Sequence, residues 1–193
     1  MSYRVLAHAE IEAYFEDRVK EIALSAVDTW KKKGESGRTL LSLLAFSGME
    51  MEAPPDSLRS KQSNFDKKLQ EQLKLDNKID KAHRRFISSV NDNHGIKEKN
   101  ILTLLLPIGI NSDDLDQDWL NLMDSFGKNR GIIAHTSALS YKTKQQINPQ
   151  DELNTVKKIV YGVSNVGGGK GVQGLIHVDQ LLNNLIKLNR YIS

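Results

Sequence analysis

The chain has no cysteine. That single absence excludes disulfides, thiolate-held zinc and a cysteine nucleophile. It also lacks a long hydrophobic run. The longest, Ile101 to Ile110, is interrupted by Pro107 and is too short to cross a bilayer. The first turns meet charge at Arg4, Glu10 and Glu12, so no signal peptide is expected, and the chain reads as soluble and cytoplasmic with no membrane partner. No segment alternates apolar and polar residues with period two, which argues against sheet. No internal repeat and no composition shift marks a boundary. The expectation is a single all-α domain spanning 1–193.

What is present fits that picture. A chain of 193 residues, 39% hydrophobic and 26% charged, is large enough to bury a real core and ordinary for a globular protein. The net charge of +3 conceals an uneven distribution. Between Arg59 and Arg85, nine Lys/Arg face four acids. Two readings stand: a solvated helix face carrying pairs such as Lys67 with Glu71, or an electrostatic footprint for a polyanion.

Helical periodicity organises the chain. Leu6, Ala9, Ala13, Ile22, Ala26 and Trp30 recur over 3–33 among Glu and Arg, and Gly34 with Gly37 ends the pattern. A short apolar helix is expected over 39–48, before Ala53-Pro54-Pro55-Asp56 forces a loop. Asp56 or Ser57 is a candidate cap for a long polar helix reaching Asn91, where Asn91-Asp-Asn-His-Gly95 supplies turn chemistry. A buried helix is expected over 97–106. Ser112 and Asp113 are candidate caps for a helix from 115 to 137, with a kink or break near Gly127 because Gly127 and Gly131 weaken it. Asn148 and Pro149 have cap and first-turn chemistry for a helix to Tyr161. A glycine-rich stretch then leads to a last helix over 175–191, packing through Leu175, Val178, Leu181, Leu182, Leu185, Ile186 and Leu188.

Several motifs fail on inspection. Gly167-Gly-Gly-Lys170-Gly171 has no hydroxyl residue after the lysine and has Ser164 where a phosphate-binding loop needs glycine. It reads as a connection between helices, or as a backbone nest for phosphate. Asp114, Asp116 and Asp118 imitate a calcium loop, but Trp119 and Ser125 stand where glycine and a bidentate glutamate are required. His8 and Glu12 share a helix face, yet one such pair gives too few metal ligands. No His-Glu-x-x-His occurs, so neither a metal nor another cofactor is expected.

Arg130 and His135 remain, in Lys128-Asn-Arg-Gly-Ile-Ile-Ala-His-Thr-Ser137. A permanent cation and a titratable imidazole on neighbouring helical turns can together serve an anionic phosphate. Five helical steps separate them by roughly 140°, so they do not share a narrow face. Arginine can bend toward the imidazole, or a second copy of the chain can complete the site. A structural histidine beside an exposed arginine is the competing reading, and the spacing alone does not choose between them.

The segment Arg-Gly-Ile-Ile-Ala-His resembles the HEPN superfamily, and the glutamate-rich first helix and glycine-interrupted final helices resemble its small prokaryotic RiboL-PSP/MAE-type members. The likeness spans nearly the whole chain in layout and about ten residues in motif. It implies a helical bundle that forms homodimers with two Arg-His pairs facing each other. The implied activity is a metal-independent endoribonuclease of toxin–antitoxin or phage-defence type, with RNA and an antitoxin or other defence protein as partners. Arg130 and His135 would be catalytic; Lys128, Asn129, Thr136 and Ser137 are candidate substrate contacts. Glu16 is weighed as an orienting acid or a surface acid. Gly131 departs from the polar residue, commonly Asn, that follows the arginine in this family. That departure keeps alive a non-catalytic module binding nucleotide, RNA or a protein partner, and a plain helical scaffold is the third reading.

Overall fold

The computed structural model describes residues 2–50, 64–135, 148–164 and 171–191. Among these, seven α-helices follow one another: α1 Ser2–Lys33, α2 Arg38–Phe46, α3 Asn64–Asn91, α4 Glu98–Leu105, α5 Gln117–His135, α6 Pro149–Tyr161 and α7 Leu175–Tyr191. A 3-10 turn, Ser112–Asp114, precedes α5. The fold is all-α.

The long first helix is the organising element, because it packs against all six others. Its inward face is Ile11, Phe15, Val19, Ile22 and Ala26, a three-and-four spacing that forms one apolar stripe. This corrects the register expected from the sequence. Leu6 is 61% exposed and Ala9 and Ala13 are also exposed; the bulkier Phe15 and Val19 claim the core, since full burial of such a side chain is worth about 1.5–3 kcal/mol. The main core gathers residues from every helix, including Leu43, Phe86, Ile101, Met123, Ile159 and Leu182. In α7, Val178, Leu182, Leu185 and Ile186 are buried as expected, whereas Leu188 faces outward.

Polar bonds also tie the helices to one another. Tyr14 donates its hydroxyl to Asp179, and Arg18 reaches Asn183 and Asp179, tying α1 to α7. Trp119 donates its indole N–H to the Ile159 carbonyl at 3.1 Å, joining α5 to α6.

Helix boundaries follow local chemistry with some corrections. Asn148 caps α6 by accepting from the Gln150 amide at 3.0 Å, and Pro149 opens the first turn. For α5 the cap is Asp116, whose carboxylate accepts from the Asp118 and Trp119 amides at 2.9 and 3.1 Å. Ser112 and Asp113 instead belong to the preceding 3-10 turn. The α5 helix does not break at Gly127. A Cβ there would sit 3.0 Å from Lys97 Cγ and 3.3 Å from the Lys97 amide nitrogen, so the glycine permits close approach of the α4 N-terminus to an uninterrupted helix. The proposed caps Asp56 and Ser57 lie outside the described residues, as does 165–170 of the glycine-rich stretch. Flanking that stretch, Val163 and Val172 exchange backbone hydrogen bonds of 2.8 and 3.0 Å in an isolated antiparallel bridge.

Candidate active site

The candidate segment occupies the C-terminal half of α5, which carries the backbone of residues 128–135. Thr136 and Ser137 lie outside the described residues, as do the side chains of 129–135. Helical register nevertheless locates the two key positions. Position 130 continues the line of Met123 and Phe126, both buried, whereas position 135 continues the heptad-spaced line of Asn121 and Lys128, both exposed. Five residues of rise set the two positions about 7.5 Å apart along the axis. Both belong to the last turns of the helix, where the partial negative charge of the carbonyl end favours cationic groups. One chain therefore offers these positions toward two different sides of α5.

Lys128 is exposed and forms an ion pair with Asp124 one turn earlier. That pairing directs its ammonium back along α5. Glu16 is half-buried and accepts from Asn93 at 3.0 Å. Asn93 in turn donates to the Gly95 carbonyl and accepts from Asn100, so Glu16 ties α1 to the α3–α4 turn.

A polar cluster that the sequence reading did not anticipate lies one turn before position 130. The Phe126 ring stacks on His8, with centroids 6.4 Å apart and planes 20° apart. Arg4 places its guanidinium carbon 5.3 Å from the centre of the same ring. That guanidinium is held in a two-pronged pair with Glu152, with Nε to Oε2 at 2.6 Å. His8 is 1% exposed, and its Nδ1 lies 3.5 Å from Glu12. The beginnings of α1 and α6 thus grip the middle of α5 through one aromatic ring. Only the His8–Glu12 spacing was visible in the sequence; Arg4 and Glu152 are too far apart along the chain to be paired by pattern.

The basic stretch of α3 is largely solvent-facing where described: Lys68, Lys74, Lys81, Arg84 and Arg85 are exposed. Lys31 pairs with Asp80 at 2.9 Å, so part of the acid within that stretch is spent on α1. No helix among the described residues is long and apolar enough to cross a membrane.

The architecture is an all-α bundle in which a late helix carries Arg-x4-His in its final turns. The model of one family, RiboL-PSP-HEPN, matches residues 1–166, and the chain belongs to that family. The match includes α5 and ends before α7, which still contributes Val178 and Leu182 to the same core. No curated protein and no solved structure matches the chain.

Proposed function

We propose that this chain is a metal-independent endoribonuclease of toxin–antitoxin or phage-defence type, acting in the cytoplasm as one domain over 1–193 and as a homodimer. The observation that carries this reading is the placement of Arg130 and His135 in the last turns of α5, within the segment matched by the family. Their positions diverge by roughly 140° around the helix, an offset that suits a site completed by a second chain better than one closed within a single chain.

The chemistry is transfer within the RNA backbone. The ribose 2′-hydroxyl attacks the adjacent phosphorus, a 2′-O–P bond forms and the P–O5′ bond breaks. One chain's His135 imidazole takes the 2′ proton, water gives a proton to the departing 5′-oxygen, and the second chain supplies the arginine. Arg130 holds the non-bridging oxygens and stabilises the charge that gathers on them. The products are a 2′,3′-cyclic phosphate and a 5′-hydroxyl; DNA, lacking the 2′-hydroxyl, is not cut. Asn129, Thr136 and Ser137 are the neighbouring candidates for substrate contact. Lys128, held by Asp124, contributes charge to the approach of RNA.

Incubating purified protein with mixed RNA in excess EDTA tests this. Cleavage should proceed, and His135→Ala and Arg130→Ala should each slow it by about a hundredfold or more. Cleavage that requires magnesium, or that persists in both variants, removes the proposal. Gly131, standing where a polar residue is common in the family, favours the second reading, a binding module without turnover; stable RNA association with no new ends would select it.

A further inference from the structure

Away from α5, a groove of about 530 Å³ opens between α2, α3 and α4. Its volume falls inside the range of about 300–1,000 Å³ typical of small-molecule sites. The floor is apolar, with Leu43, Ala82 and Phe86 buried beneath it. Leu102 and Leu106 form one wall. At its mouth Phe46 leaves 60% of its surface exposed, an aromatic ring at the edge of an apolar cleft.

One border of this groove has a different character. Arg85, Ser89, Lys99 and Thr103 line both the groove and an adjoining cavity of about 540 Å³. The rest of that second cavity is polar, with Ser88, Asn93 and Asn100 on its walls. Arg85 donates through Nη1 to the Ser47 carbonyl at 2.5 Å, which anchors the guanidinium at the boundary and leaves its other N–H groups available. Among the described residues, neither Arg85 nor Lys99 forms an ion pair with a carboxylate. Two hydroxyls and two cations therefore stand where an apolar slot gives way to a polar shelf.

The acids nearby limit what fits. Glu98 borders the groove but accepts from Gln117 at 2.9 Å, and Asp92 borders the polar cavity. A polyanion would meet both carboxylates, whereas a single negative head group at the Arg85–Lys99 border meets mainly the cations. We propose that this groove binds a small amphipathic monoanion, its apolar body between Phe46, Phe86 and Leu102 and its acidic head at Arg85 and Lys99. The described lining includes no residue of α5, and the proposal does not depend on RNA cleavage.

Decanoate is a suitable probe, with decanol and decyltrimethylammonium as tail-matched controls, titrated calorimetrically into the full chain. The expected result is saturable binding of one decanoate per chain. Decanol and the cation should bind at least about tenfold more weakly, because the charge-assisted contacts are lost. The double variant Arg85→Ala/Lys99→Ala should weaken decanoate by about tenfold or more. Because Arg85 also holds the Ser47 carbonyl, Lys99→Ala alone is the variant that should weaken binding with the melting temperature of the free protein unchanged. Leu102→Trp, which fills the slot, should abolish binding; if that variant fails to fold, the rim variant carries the test alone. Absence of saturable decanoate binding, equal affinity for decanol, or full affinity in the rim variant would each overturn the proposal.

Discussion

Gly34 and Gly162 hold nearly the same positive φ, 73° and 76°, yet their surroundings differ completely. A Cβ on Gly34 meets nothing within 4 Å. Replacing it with alanine costs only the left-handed backbone penalty, about 1–2 kcal/mol. Gly162 closes α6 with ψ at −165°, a combination essentially restricted to glycine and costing about 1–3 kcal/mol for other residues. A Cβ there would also collide with the Val172 carbonyl oxygen and lie 2.9 Å from the Gly174 amide nitrogen. Both are backbone atoms, the first held by the Val163–Val172 bridge, so they cannot swing aside as a side chain would, and overpacking adds about 1–3 kcal/mol. Gly162→Ala should therefore lose about 2–3 kcal/mol more than Gly34→Ala. Urea unfolding followed by far-UV circular dichroism, with the slope checked for two-state behaviour, measures both. At roughly 2–4 °C per kcal/mol for a chain of this size, the gap should also appear as a clear difference in melting temperature. Equal losses in the two variants would refute the claim that this bridge rigidly fixes the end of α6.

Three further perturbations follow from the same geometry. Glu152→Ala strips the two-pronged partner from Arg4, whose side chain is only 14% exposed, and should cost about 2 kcal/mol in urea unfolding, the lower side of a buried pair because some solvent reaches it. Burial, reinforced by the hydrogen bond to Asp179, holds the Tyr14 hydroxyl well above its ordinary pKa; its stabilisation is complete below the unfolded value of about 10 and is lost as pH rises past it toward the folded pKa. Unfolding measured across that range should show a downward slope that Tyr14→Phe flattens. Burial also lowers the pKa of His83, against a smaller opposing pull from Asp80; the stability tied to its neutral form is present above about pH 6.5 and disappears as pH falls through the folded value, so its NMR titration midpoint should lie below about 6.5.

Much of the bundle was legible because long helices advertise themselves. The Asn148–Pro149 start of α6 and the apolar face of α7 could be read directly, since cap chemistry and three-and-four spacing are local. The α1 register was less legible, because small alanines on its outer side imitate a stripe that Phe15 and Val19 actually supply. Gly127 misled for a related reason. Helix propensity counts glycine as a weak point, but here it makes room for Lys97 at the N-cap of α4, and that need is tertiary. The Arg4–Glu152–Phe126 grip was invisible for the same cause, as its partners come from α1, α5 and α6. The Arg130–His135 motif was visible from the sequence and led to the family that matches residues 1–166; its role as a cleavage site is a proposal that rests on chemistry.

That proposal requires an arginine from one chain and a histidine from another to meet at a single scissile linkage. Co-expressing Arg130→Ala with His135→Ala and assaying the mixed dimers on RNA in EDTA tests this most directly. Each variant alone should be inactive, and the mixture should recover part of the wild-type rate, with cyclic-phosphate ends on the products. A mixture as silent as its components would contradict the shared site.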